Sequence, residues 1–292
     1  MSRSNEISPL AWFLLIILTI IWGASFLLIK KSLLVFTPIQ LSYLRISVSF
    51  LFLLPFAIIR WKEIKRSDLF NFFIVGFIGS AVPSFLFAYA QQEIPSFVAG
   101  MLNALTPLWT IIFSRLLFKK QFSKHKWLGI LIGFLGTLII FYDPNGSIET
   151  SYYLGMVVLA TLCYALSANV ISHKLEHLHT LTISSASFMI IGPIAILMFF
   201  REDYSHIDIS SDDFYIAFWS MMCLGVLATA VGLILLNKLI HTSNVVFATS
   251  ITYLIPIIAI ILGVTLLDED LIWNQILGSI VILLAVYLVK KK

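Results

Sequence analysis

Long apolar runs alternate with short polar breaks along all 292 residues. The runs fall at roughly 10–29, 38–59, 70–90, 96–118, 126–142, 152–172, 180–200, 213–236, 244–267 and 271–289. Each is close to the ~20 residues a helix needs to cross the hydrocarbon of a bilayer. In lipid, every backbone N–H and C=O must find its partner within the chain, so each run predicts a helix. These runs use nearly the whole chain and leave no separate soluble domain. The expected fold is an all-α polytopic membrane protein with ten transmembrane helices.

Composition strengthens that picture. Apolar residues make up 60% of the chain and charged residues 12%, with a mean hydropathy of +0.99. Soluble domains carry about 25% charge. Too few polar side chains are present to cover a water-exposed surface, which excludes a soluble enzyme, a disordered chain and a coiled coil. The first apolar run follows a single arginine, Arg3, and no small-residue cleavage pattern comes after it, so a retained helix is expected rather than a signal peptide. Cys163 and Cys223 both lie inside apolar runs, which speaks against a disulfide framework.

The net charge of +4 could suggest nucleic acid, but the basic residues are scattered between apolar runs. They read better as an orientation signal. With the N-terminus inside, fourteen basic residues fall on inside segments, including Arg60, Lys62, Lys65, Arg66 and the terminal Lys290–Lys292. Three, Lys30, Lys31 and Arg201, fall outside. Of the fifteen acidic residues, only Glu6, Glu63, Asp68 and Glu176 are inside. Both termini are therefore expected in the cytoplasm, in a multi-pass protein of the cell (inner) membrane.

The chain also repeats. A slide of 149 residues lays Gly76 on Gly225, Ala81 on Ala230, Ala99 on Ala248, Pro107 on Pro256 and Gly129 on Gly278. Near the start of each half the offset is 142, placing Trp22 on Tyr164 and Ser25 on Ser167. Five helices repeated once invert the second copy. The expected units are residues 1–148 and 149–292. Inverted repeats are a transporter architecture, with the substrate site between them near the bilayer midplane.

The IWGASF run at 21–26, Arg45 in the second helix, NALTP at 103–107 and YLIP at 253–256 resemble the drug/metabolite transporter superfamily, EamA-type. The likeness covers nearly the whole chain. It implies a basket of helices one to four and six to nine around a central cavity, braced by the fifth and tenth. It also implies transport of small metabolites, often export of amino acids or toxic organics. One departure is the acidic run Asp268-Glu269-Asp270, which stands where the family more usually has a Gly-Glu turn.

Candidate substrate-binding residues follow from helical spacing. Gly100, Asn103, Pro107, Thr110 and Ser114 share one face of the fourth helix. Thr249, Thr252, Pro256, Ala259 and Gly263 share the matching face of the ninth. A proline inside a helix removes one donor and clashes with the preceding turn. Pro107 is expected to free the carbonyl of Asn103, and Pro256 that of Thr252, making both prolines hinge points. Packing with polar glue is the competing reading of these faces. Trp22 and Ser25, with Tyr164 and Ser167 in the other half, place an aromatic ring and a hydroxyl at mid-depth. Tyr253, Tyr89, Trp109 and Asn169 are weaker candidates.

Arg45 is a charge inside a span, with no acidic residue in any span to pair with it. Snorkelling, hydrogen bonding to carbonyls and binding of a carboxylate substrate all remain open; the resemblance favours a structural or gating role. The absence of buried acids disfavours a carboxylate proton relay at mid-depth, leaving uniport, exchange or weak coupling through Glu93 or His241. His173, Glu176, His177 and His179 form a local cluster in an expected cytoplasmic loop, read as solvated rather than metal-binding.

Gly129, Gly133 and Gly136 give the fifth helix a small-residue face, for packing by default and a homodimer as the alternative. No nucleophile–base set, phosphate loop or nucleic-acid motif appears, so neither an enzyme, a cofactor, a metal nor a nucleic-acid partner is expected. The partners are the lipid bilayer and a small-molecule substrate. The expected function is a secondary transporter, an exporter of small metabolites such as amino acids, working by alternating access. An organic-cation or drug effluxer, or a non-transporting scaffold or sensor, is the alternative.

Overall fold

A computed structural model describes residues 8–141 and 148–290. The described residues fold into helical rods joined by short turns. They are α1 (Pro9–Ser32), α2 (Pro38–Ile59), α3 (Arg66–Glu93), α4 (Ser96–Phe118) and α5 (Lys124–Phe141). Then come α6 (Ile148–Lys174), α7 (Thr180–Phe199), α8 (Asp212–Thr242), α9 (245–266) and α10 (Trp273–Lys290). Seven of them, α1–α4 and α6–α8, are long and apolar enough to cross a membrane, by length and composition.

Local chemistry sets the rod ends. Ser8 caps α1 by accepting from the Ala11 N–H at 3.2 Å, and Pro9 opens the helix with its φ already preset. Thr37 and Gln40 form a reciprocal capping box at the start of α2. The Gln40 amide also donates to the Asp203 carbonyl at 2.7 Å, tying that end of α2 to the α7–α8 turn. In the same turn, the Ser205 backbone N–H holds the Asp203 carboxyl below its usual range, whereas burial pushes the Tyr204 phenol up to about 12.

Two rods widen and two tighten in the middle. Residues 74–81 of α3 and 224–231 of α8 are π-helical, with one extra residue per turn. Both wide segments carry a side-chain bond five residues back: Ser80 to the Val75 carbonyl and Thr229 to the Leu224 carbonyl. In α4 and α9, residues 103–105 and 250–253 narrow to 3₁₀ turns.

The prolines act differently from the sequence expectation. Pro107 and Pro256 sit in the first turn of the helical piece that follows each 3₁₀ turn. There a missing N–H costs nothing. The Asn103 carbonyl is not free, because the Thr106 N–H and hydroxyl both donate to it, the latter at 2.8 Å. The backbone tightens before the proline instead of kinking at it.

Packing pairs the two halves. α1 lies against α8 and α6 against α3; α2 lies against α8 and α7 against α3; α1 lies against α9 and α6 against α4. α2 meets α7, α4 meets α9, and α5 meets α10. Exchanging the halves maps this set of contacts onto itself. At the α5–α10 crossing a Cβ on Gly136 would come within 2.8 Å of the Gly278 carbonyl, so the small-residue face of α5 is filled within the chain there.

Polarity is inverted relative to a soluble protein. Leu131, Leu135 and Leu138 on α5 and Leu277, Ile280 and Leu284 on α10 are exposed, while Ser49, Thr182, Ser184, Asn169 and Asn237 are fully buried. The buried polar groups stitch rods together. Asn169 of α6 donates to the Thr110 carbonyl at 3.1 Å and accepts from the Ser114 hydroxyl at 2.5 Å, both on α4. Asn237 of α8 donates to the Ser184 hydroxyl of α7 at 2.8 Å. Such bonds average ~0.6 kcal/mol each between membrane helices.

Candidate functional site

A central cavity opens where the wide and tight segments converge. Its volume is about 100 Å³. α1–α4, α6, α8 and α9 all contribute walls.

Two aromatic residues frame it. Trp22 of α1 donates its indole N–H to the Ala228 carbonyl in the wide segment of α8, at 2.8 Å. That bond satisfies the polar end of the ring and leaves its face as apolar wall. Gly232 permits the approach, since a Cβ there would lie 2.6 Å from the Trp22 Nε1. Tyr164 of α6 stacks on Phe87 of α3, with centroids 5.9 Å apart. Gly79 lets α6 close in, because a Cβ there would collide with the Ser167 hydroxyl.

Arg45 reaches the cavity from α2. Its Nε donates to the Thr229 hydroxyl at 2.6 Å. Thr229 in turn donates its proton to the Leu224 carbonyl at 2.8 Å, so its oxygen faces the guanidinium as an acceptor. The Tyr164 hydroxyl also interacts with the guanidinium. The α2–α8 contact behind it is close: the Ser49 hydroxyl lies 2.7 Å from the Arg45 carbonyl and 2.8 Å from the Gly225 carbonyl. Arg45 therefore bonds across the protein rather than snorkelling to an interface.

The tight segments and their flanks add further polar wall. Asn103 and Thr106 come from α4, Thr249 and Thr252 from α9. The Thr249 and Thr252 hydroxyls each donate to a carbonyl of their own rod at 2.9 Å, leaving oxygen lone pairs toward the cavity. Asn103 accepts from the Thr106 hydroxyl at 3.3 Å through its amide oxygen. Its amide nitrogen bonds to none of the described residues.

Of the residues singled out in the sequence, Trp22, Ser25, Arg45, Asn103, Tyr164, Ser167, Thr249 and Thr252 meet at this cavity. Thr110 does not: it is fully buried and bonds back to the Thr106 carbonyl at 2.8 Å. The side chain of Tyr253 lies outside the described residues. Asn169 serves α4–α6 packing. The histidine cluster is dispersed. His173 stacks on Phe118, His177 pairs with Asp68 at 3.4 Å, and His179 caps α7. No group of three metal-ligating side chains occurs among the described residues.

Sequence reasoning missed Ser80, Thr229 and the Ala228 carbonyl. The signal was available for the first two, because the 149-residue slide that aligns Ala81 with Ala230 also lays Ser80 on Thr229. Their importance comes from the π-helical turns, which carry no proline or charge to mark them.

Helical rods with an apolar exterior around a central hollow define a multi-pass membrane protein. The EamA-like transporter family model matches residues 9–142 and 151–290, and the chain belongs to that family. It is 26% identical over 281 residues to an uncharacterized transporter of Archaeoglobus fulgidus, covering 96% of this chain and 99% of that one. It is also 26% identical to the uncharacterized inner membrane transporter YedA of Escherichia coli K12, covering 98% and 92% of the two chains. A solved crystal structure matches over 96% of each chain, with a TM-score of 0.69 at 14% identity, which is a likeness of fold. The chain is thus a member of a transporter family.

Proposed function

We propose that the protein is a secondary transporter of small metabolites, working in export by alternating access. In this reading all ten rods cross the membrane, as two inverted five-helix repeats with both termini in the cytoplasm. The central cavity is the substrate site, and its exposure alternates as the halves rock. The observation that carries the reading is the pairing of wall residues across the halves. Ser80 with Thr229 and Asn103 with Thr252 stand at an offset of 149, and Trp22 with Tyr164 at 142, all on one cavity.

The 3₁₀ turns before Pro107 and Pro256 serve as hinges, since a short tight segment between two α-helical pieces can return to α geometry at small cost. The inner membrane placement is supported by the basic bias of the inside segments and by the printed name of the Escherichia coli relative.

The test is counterflow in proteoliposomes, comparing the wild type with Thr252→Trp. The wild type is expected to exchange substrate, and the filled cavity to stop exchange while insertion and folding persist. Undiminished exchange in a folded Thr252→Trp protein would remove the cavity from the transport path.

A further inference from the structure

Resting on the reading of the cavity as a transport site, we infer that its substrate is a small organic monoanion: a carboxylate joined to an apolar or aromatic body, with the carboxylate held by Arg45. The wall carries one full charge, and it is positive. No Asp or Glu stands among the wall residues, and among the described residues the ion pairs are Arg60–Glu63 and His177–Asp68, neither of which involves Arg45. Arg45 is half-buried at the cavity, and a cation that a bound ligand seals from water is costly unless it is paired. Among the described residues, Arg45 has one side-chain hydrogen bond, to the neutral Thr229 hydroxyl from Nε, with the neutral Tyr164 hydroxyl near the guanidinium.

Geometry adds to the charge argument. The Thr229 oxygen receives Nε because its own proton goes to the Leu224 carbonyl across the π-helical turn. The guanidinium is thereby held by one edge. Its terminal nitrogens bond to nothing else among the described residues beyond the Tyr164 contact. A guanidinium fork matches a carboxylate through two parallel N–H bonds, which an ammonium or alcohol cannot supply. The unbonded Asn103 amide nitrogen is a further donor on the same cavity. The rest of the wall suits an apolar body, with the rings of Trp22, Phe26, Phe87 and Tyr164 around it. A positively charged group on a ligand would find only neutral hydroxyl lone pairs and would sit in the field of Arg45.

The experiment uses the full chain, purified in detergent and reconstituted in liposomes, with matched acid and amine probes: phenylacetate against phenethylamine, and indole-3-acetate against tryptamine. The acids are expected to raise the melting temperature and to drive counterflow, and the amines to do neither. Arg45→Gln should weaken acid binding by about tenfold or more, the scale of a lost charge-assisted pair. Should Arg45→Gln fail to fold, Arg45→Lys and Thr229→Val take its place. Each should weaken the acids severalfold, the first by losing the fork and the second by releasing its edge. Amines binding as well as acids, or acids binding the folded variants as tightly as the wild type, would overturn the inference. Acids that bind without counterflow would support the anion site and defeat the transport reading. Amines carried in place of acids would do the reverse, and no binding or flux with any probe would count against both.

Discussion

Lys119 and Asp268, 149 residues apart, are the two non-glycine residues among those described whose backbone is left-handed, with φ of 55° and 52°. Each follows the second piece of a broken rod, α4 or α9. The hydrogen bonds match as well: the Lys120 N–H donates to the Ser114 carbonyl and the Glu269 N–H to the Gly263 carbonyl, both at 3.1 Å. Each bond reaches six residues back and closes over the left-handed residue at the end of its rod. The acidic run that replaces a Gly-Glu turn therefore keeps the turn, with Asp268 at the position glycine would fill most easily.

A Cβ in the left-handed region costs roughly 1 kcal/mol, less for Asp than for Lys. Lys119→Gly is expected to raise the melting temperature in detergent, and Asp268→Gly to raise it by a smaller amount. Lys119→Val should lower it. A tryptophan-fluorescence melt of the three variants reads the order.

The Glu269 carboxylate accepts from the Ser96 N–H at 2.6 Å, the Ser96 hydroxyl at 2.8 Å and the Phe97 N–H at 3.3 Å. It thus caps the start of α4 from the turn after α9, a negative charge at a helix N-terminus. Glu269→Ala leaves those donors without their acceptor and should cost about 1–2 kcal/mol. Ser96→Ala should cost less. The double variant should fall short of the sum, and additive losses would show that the two residues act independently.

Asn103 and Thr110 lie two turns apart on α4, yet only Asn103 is on the cavity wall. Asn103→Leu is expected to weaken substrate affinity severalfold, and Thr252→Val to do the same from α9. Thr110→Val should leave affinity unchanged. Binding titrations on the three variants separate wall from packing, and an equal loss at Thr110 would return the whole face to packing.

Trp22→Phe keeps the ring but removes its N–H, leaving the Ala228 carbonyl without its 2.8 Å donor. A stability loss of about 1 kcal/mol is expected. Gly232→Ala should do more harm, because its Cβ would meet the indole and part α1 from α8. The comparison is made by thermal melt and by counterflow, with Gly232→Ala expected lower in both.

Pro107→Ala with Pro256→Ala restores a donor at each position, so the 3₁₀ turns can convert to continuous α-helix. Transport is expected to be lost while the protein still inserts. Unchanged counterflow in that double variant would refute the hinge role of both prolines.

The rods themselves were legible along the chain, because lipid forces each apolar run to satisfy its own backbone, and a helix is the only local way to do so. The polar residues at mid-rod were legible too: Trp22, Asn103, Tyr164 and Thr252 stand where an apolar run needs no polar group. The 149-residue offset linked the halves before any contact was known. What tertiary structure alone decided was who meets whom. Arg45 finds Thr229 184 residues away, and Ser96 finds Glu269 at a separation of 173. A search for an acid near Arg45 could not find a neutral hydroxyl brought round by a π-helical turn. That turn, the 3₁₀ turns ahead of the prolines and the inward packing of Thr110 are set by neighbouring rods pressing on one another. The covalent sequence determines which groups must hide from lipid; the packed rods determine which of them share a hollow and which are sealed in the walls.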